Sequence, residues 1–212
     1  MIKAIIFDFG SVIYKTDWEK LDAYFKKLNG FSIRIAESKD EELIKIYRDS
    51  DIGKQEYVKF FYHLEPNIKD IDKIIKDYKK AYGKFKKINR ELLKIISFLK
   101  KKYLIFGFSD IKKEHYEANK ECGIYDCFEE VFASFKFGVL KCDAGAFQRL
   151  EKELKKFNLK PENCLFIDDW LPNIENAKKT GFKTIYYEDF PHVKKLREEL
   201  EKALEINIKR KL

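Results

Sequence analysis

Residues 2–13 read Ile2-Lys3-Ala4-Ile5-Ile6-Phe7-Asp8-Phe9-Gly10-Ser11-Val12-Ile13, an apolar, β-branched run ended by an aspartate and then a glycine. A run this short and this apolar predicts a strand buried on both faces, as in parallel sheets. Similar runs recur at residues 103–108, 131–133, 164–167 and 183–186. Helical patterns separate the later ones, at residues 112–122, 144–157 and 172–179, with Leu150, Leu154 and Phe157 at helical spacing. Strand alternating with helix predicts right-handed crossovers and an α/β fold with a mostly parallel sheet.

Residues 17–82 break the alternation. They carry helical patterns only, punctuated by Asn29-Gly30, Ser50-Asp51-Ile52-Gly53 and Glu65-Pro66-Asn67, and so predict an all-helical insertion between the first strand and the second. Its aromatic residues Tyr24, Phe25, Tyr47, Tyr57, Phe60, Phe61 and Tyr62 recur at helical spacing and are expected to form mostly the core of a small bundle. A helix at residues 90–101 leads back to the sheet. Another at 193–208, with Leu196, Leu200 and Leu204 on one face, follows the last strand.

The 212 residues suit one globular domain with a modest insertion. Hydrophobic residues at 45% and charged residues at 38% exclude disorder for most of the chain. No apolar run approaches the roughly 18 residues of a membrane span, and residues 1–10 lack the pattern of a secretion signal. The formal charge of +8 raises the question of nucleic acid. The basic doublets Lys26-Lys27, Lys79-Lys80, Lys155-Lys156 and Lys194-Lys195 are interspersed with acids, the pattern of solvated helix faces and not of a phosphate-tracking stripe. The tail Lys209-Arg210-Lys211 is a basic run without acids but a short one, and nucleic acid is not expected as a partner. Cys122, Cys127, Cys142 and Cys164 show no CxxC spacing, so reduced thiols in the cytoplasm are expected. The Lys, Glu and Ile richness fits high-temperature life and an AT-rich genome equally.

In an open parallel sheet, ligands bind outside the carboxyl ends of the strands. Asp8, Ser109-Asp110 and Asp168-Asp169 all fall at predicted strand ends. Carboxylates gathered at one edge repel each other unless a cation lies between them, and magnesium, which needs few protein carboxylates, fits that role. Each aspartate taken alone reads equally well as a helix cap; the coincidence of three strand ends carries the argument.

Four segments in order resemble the motifs of the haloacid dehalogenase (HAD) superfamily. Ile5-Ile6-Phe7-Asp8-Phe9-Gly10-Ser11-Val12 is similar to motif one in its x-Gly-x-Val variant, and Ile105-Phe106-Gly107-Phe108-Ser109 to motif two. Gly138-Val139-Leu140-Lys141-Cys142-Asp143 stands where motif three belongs, and Leu165-Phe166-Ile167-Asp168-Asp169-Trp170-Leu171-Pro172-Asn173 where motif four belongs. The resemblance implies a Rossmann-like three-layer core over residues 1–15 and 84–212, with a helical cap over 16–83 hinged near Lys15-Thr16 and Gly83-Lys84. It implies a phosphatase in which Asp8 is the nucleophile, Ser109 and Lys141 hold the phosphoryl group beside Asp110, and Mg2+ is bound by Asp8, the Gly10 carbonyl and Asp169 with Asp168 adjacent. The implied substrate is a small phosphorylated metabolite, sugar phosphates first, and the implied assembly is a monomer or homodimer.

Three residues depart from the family pattern. Gly10 replaces the second aspartate that protonates the leaving oxygen, a function worth roughly 100 to 10,000-fold. Asp110 and Cys142 replace the usual Asn and Pro. Asp17 and Asp110 are candidate substitutes for the missing acid, although Asp17 also reads as the N-cap of a helix starting at Trp18. A catalytically weak relative with a binding or regulatory role is the alternative that Gly10 raises. The dehalogenase branch also uses an aspartate nucleophile, but its relatives carry an aromatic residue where Gly10 stands and do not need the Asp168-Asp169 pair.

Overall fold

The chain begins with β1 (Ala4–Phe7) and β2 (Tyr14–Thr16), followed by four helices, α1 (Trp18–Asn29), α2 (Glu41–Asp51), α3 (Val58–Leu64) and α4 (Ile71–Lys84). It returns through β3 (Lys86–Ile88) and α5 (Arg90–Leu99) to β4 (Leu104–Ser109), α6 (Lys113–Glu121), β5 (Glu130–Ala133) and α7 (Ser134–Phe137). α8 (Ala146–Leu154), β6 (Cys164–Asp168), α9 (Leu171–Lys179), β7 (Lys183–Tyr186) and α10 (Lys194–Leu204) complete it. The computed structural model describes residues 1–35 and 38–208, so the basic run Lys209-Arg210-Lys211 lies outside the described residues.

Five strands form a parallel sheet in the order β5-β4-β1-β6-β7. The register sets Phe7 beside Gly107 on one side and Ile167 on the other. Asp8 therefore emerges level with Asp168, and Ser109 lies one step further along β4. Alternation along the strands divides the core into two layers. Ile5, Phe7, Ile105 and Ile167 pack against Leu92, Ile96, Leu196 and Leu200 of α5 and α10. Ala4, Ile6, Phe106 and Phe166 pack against Phe147, Leu150, Ile174 and Ala177 of α8 and α9. Each fully buried leucine in these layers contributes about 2 kcal/mol. The result is the expected α/β three-layer parallel core, with helices on both faces.

The insertion starts three of its helices with aspartate caps. Asp17, Asp40 and Asp70 accept the backbone N–H of Lys20, Leu43 and Lys73 at 3.0, 2.9 and 2.9 Å, satisfying donors that a helix N-terminus otherwise leaves open. Phe25, Tyr57, Phe60, Phe61 and Tyr78 form its interior, and Ala118 of α6 joins the same cluster, so the bundle is packed onto the core. Tyr62 lies on the surface and Tyr47 is half-buried.

Three elements went unread in the sequence, the short helix α7 and the strands β2 and β3. β2 and β3 pair antiparallel, Lys15 opposite Lys87 and Thr16 opposite Lys86. These three-residue, lysine-bearing strands carry no periodic signal. Gly83 lies inside α4, so the chain passes between core and insertion through this ribbon. A second anchor joins them at Gly53, where φ is +67° and an added Cβ would lie 2.2 Å from the Phe135 carbonyl oxygen. Only glycine fits there, and it lets the end of α2 lie against α7.

Candidate active site

A cleft of about 400 Å³ opens at the carboxyl edge of the sheet, between core and insertion. Asp8, Gly10, Ser109, Asp110, Lys141, Asp168 and Asp169 all line it. The strand ends deliver Asp8, Ser109 and Asp168, and loops deliver the rest. Asp17 is not among the lining residues. It caps α1 and pairs with the Lys20 ammonium at 2.8 Å, so the structure supports its capping role.

Lys141 is the hub. Its Nζ donates to Asp168 Oδ2 at 2.6 Å and to Asp8 Oδ1, and only 2% of the residue is exposed. Its backbone is held from both sides. The Lys141 N–H donates to Asp110 Oδ1 at 2.9 Å, and Asn176 Nδ2 donates to the Lys141 and Asp143 carbonyls at 2.8 and 3.0 Å. Asp143 in turn accepts from the Leu140 N–H at 2.9 Å, closing the loop on itself.

The two motif-four aspartates have different surroundings. Asp168 is fully buried. Its Oδ1 accepts from the Trp170 N–H at 2.8 Å, and Asn173 Nδ2 lies 3.1 Å from both of its oxygens. Asp169 lies in the cleft wall and is hydrogen-bonded by Ser11, whose φ of 54° turns the chain sharply after β1.

Burial pushes the Asp8 carboxyl well above the usual range; Lys141 pulls it back, while Asp168 and Asp169 push it further up. Burial alone would lower the Lys141 ammonium, yet Asp168, Asp8 and Asp110 outweigh it and hold the charge firmly in place. Burial raises Asp110 to about 6, and burial with the Asp168 charge raises Asp169. Four carboxylates thus gather near one buried ammonium, which pairs directly with two of them, Asp8 and Asp168. Asn173 Oδ1 is also buried without a hydrogen-bond partner. Such an oxygen-rich, net negative donor set fits a hard divalent cation. Among the described residues no three His, Cys, Asp or Glu side chains form a ready-made metal cage. Magnesium suits the oxygen-rich set around Asp8 because it takes one or two protein carboxylates and completes its shell with water and phosphate oxygens.

The far wall of the cleft comes from Tyr14, Trp18, Tyr47, Tyr82, Lys112 and His115. Of these, only Tyr47 was among the aromatic residues singled out in the sequence. The others sit in segments whose spacing gives no sign of facing a cleft. Lys112 is fully buried, pairs with Asp51 at 2.7 Å and lies 3.5 Å from the Tyr47 ring centre. His115 stacks flat on Tyr82 at 3.8 Å and hydrogen-bonds the Tyr78 hydroxyl at 2.6 Å. Burial, with Lys112 and Lys86 nearby, keeps its pKa well below the usual value.

The family model for haloacid dehalogenase-like hydrolases matches residues 2–181. The chain belongs to that family. This HAD-like hydrolase is similar to several solved structures. A HAD family enzyme of Bacteroides thetaiotaomicron, in complex with magnesium and inorganic phosphate, is 20% identical, with a TM-score of 0.71 over 92% of this chain and 99% of that chain. A predicted HAD-like family hydrolase of Porphyromonas gingivalis is 21% identical, with a TM-score of 0.71 over 94% and 98%. A 2-haloacid dehalogenase of Pseudomonas syringae is 16% identical, with a TM-score of 0.67 over 88% and 86%. At these identities the likeness is one of fold. No curated protein matches the HAD-like hydrolase, and none of its described helices is long and apolar enough to cross a membrane.

Proposed function

We propose that this HAD-like hydrolase is a magnesium-dependent phosphatase acting on a small phosphorylated metabolite through an aspartyl phosphate on Asp8. The observation that carries the reading is Lys141 bridging Asp8 and Asp168 in a cleft lined by Ser109. An Asp carboxylate held by a buried ammonium beside a hydroxyl donor is a nucleophile placed where a phosphoryl group can be gripped. The Bacteroides enzyme, seen with magnesium and phosphate, supports the cofactor and the substrate class.

An Asp8 oxygen bonds to phosphorus as the ester bond to the leaving oxygen breaks. Ser109 and Lys141 hold the phosphoryl oxygens. The leaving oxygen takes a proton, and we assign its source to Asp110, which lines the cleft and which burial keeps near a pKa of 6. Water then attacks phosphorus, gives its proton to the Asp110 carboxylate left by the first step, and the P–O bond to Asp8 breaks, releasing inorganic phosphate and restoring both carboxyl groups. Asp8, the Gly10 carbonyl and Asp169 would hold magnesium, with Asp168 as an outer carboxylate that positions Lys141. When bound, the ion supplies charge that shields the carboxylate from the phosphate dianion and stabilises the transferring group. Residues 16–83 serve as the cap on a core of 1–15 and 84–212, excluding water when substrate is present. The cytoplasm is the proposed compartment, and a monomer or homodimer the proposed assembly.

The test is phosphate release from an aryl phosphate and a panel of metabolite phosphates, including sugar phosphates, with magnesium and with a chelator. Magnesium-dependent release is expected; equal release with chelator present contradicts the reading. Gly10 favours a second reading, a catalytically weak protein that binds the same ligands. Ordinary turnover of any natural phosphate ester disposes of it.

A further inference from the structure

The cleft has two unlike ends. Around Asp8 it is charged and oxygen-rich, but the wall supplied by the insertion, by β2 and by α6 is largely aromatic. Trp18, at the first position of α1, is 47% exposed. Its ring lies 5.8 Å from the centres of both Tyr82 and His115. A tryptophan left open beside a catalytic edge is surface that a ligand can cover.

The polar atoms of this wall are largely committed to each other. The Tyr14 and Tyr82 hydroxyls pair at 3.0 Å, and Tyr14 also accepts from Asn119 Nδ2 at 2.9 Å. His115 Nε2 is engaged by Tyr78, and Lys112 by Asp51. Lys15, Thr16 and Asp51 add polar groups to the lining elsewhere, but around Trp18 and Tyr47 the wall offers ring surface. A polyol approaching it would give up hydration with few partners in return, which is costly; a flat apolar group would not.

A second cavity of about 210 Å³ adjoins the first. It is lined by Leu21, Ile33, Ile35 and Tyr57, and it meets the cleft at Trp18 and Tyr47, which line both. Apolar space thus continues beyond the aromatic wall, away from Asp8.

We infer that the leaving group of the substrate carries a flat apolar ring that lies against Trp18 and Tyr47, so that the enzyme favours phosphomonoesters of ring-bearing alcohols over hydroxylated sugar or glycerol phosphates. This rests on the phosphatase reading and narrows its substrate class. Trp18 is the specificity-determining residue. One stacked ring supports a preference of about tenfold.

The test compares phenethyl phosphate, glycerol 1-phosphate and a hexose 6-phosphate on the 212-residue protein with magnesium; all three are esters of primary alcohols, so leaving-group acidity differs little. The expected result is a kcat/KM for phenethyl phosphate about tenfold above the other two. Trp18→Ala should remove that preference through KM, and Trp18→Phe should keep most of it. Equal or better use of the hexose phosphate overturns the inference, as does a Trp18→Ala variant that slows all three esters alike through kcat, the mark of a merely structural residue. If no ester is hydrolysed, the phosphatase reading fails, and the subsite is read by binding alone. The chain has two tryptophans, so in Trp170→Phe the fluorescence belongs to Trp18. Quenching by phenethylphosphonate at lower concentration than by propylphosphonate supports the ring subsite; equal quenching contradicts it.

Discussion

Lys141 Nζ lies 2.6 Å from Asp168 Oδ2 and donates at the same time to Asp8, with all three groups shielded from solvent. One ammonium thus compensates two buried carboxylates. Removing it leaves both unpaired. Lys141→Met is expected to destabilise the protein by roughly 3–5 kcal/mol, the usual cost of breaking a buried pair. Stability should recover as pH falls, because unpaired buried carboxylates have raised pKa values and become neutral first. Thermal unfolding at mildly acidic and mildly alkaline pH reads both effects; a melting temperature unchanged from wild type would show that the bridge contributes nothing.

Asp110 is expected to set the alkaline limb of turnover for esters with poor leaving groups. Burial raises its carboxyl to about 6, against the lowering effect of Lys141 and with Asp168 and Asp51 adding to the rise. An acid acts in its protonated form, so the rate with an alkyl phosphate should be high below about 6 and fall as pH rises through it. Asp110→Asn should flatten that limb and cost roughly 100-fold or more on alkyl esters, within the range of general acid catalysis, while aryl esters lose far less. A pH–rate profile on both ester types is the measurement.

Gly10 leaves room for an aspartate side chain. An added Cβ would lie 3.8 Å from Asp8 Oδ2, an ordinary contact, and the backbone there is not left-handed. Gly10→Asp should therefore fold and raise alkyl-ester turnover more than aryl-ester turnover, toward the roughly 100-fold lower end of general acid effects. In that background Asp110→Asn should cost little, because two donors serving one oxygen are not additive. The double-mutant cycle on kcat decides it.

Gly53→Ala should loosen the insertion from the core. Its left-handed backbone alone costs about 1–3 kcal/mol for a residue with a side chain, and the 2.2 Å approach to Phe135 adds to it. Denaturant unfolding should show the loss. A midpoint equal to wild type would mean that α2 and α7 separate freely.

The sheet was legible because its central strands are short apolar runs, two of which, β1 and β6, close on aspartates, and parallel burial leaves that pattern in the sequence. The helical insertion was legible from its breaks, which coincide with the ends of α1, α2 and α3 at Asn29, Asp51 and Leu64. The acidic end of the cleft followed from strand ends, and the structure gathers Asp8, Ser109 and Asp168 there as the register requires. The aromatic end was not legible. Trp18, Tyr82 and His115 lie far apart in the sequence, and only docking of the insertion on α6 brings them together. Asn176, which clamps the Lys141 loop, was missed for the same reason. A single polar residue on a helix gives no sign of the loop it will meet.

The most direct test of the central claim is acid quenching of the wild-type protein during turnover of a phosphate ester with magnesium, followed by mass mapping of the peptide that carries Asp8, in parallel with phosphate release by Asp8→Asn. The account predicts a phosphoryl group on Asp8 in the wild type, and neither adduct nor release in the variant. Phosphate release by Asp8→Asn at a rate near that of the wild type would contradict it.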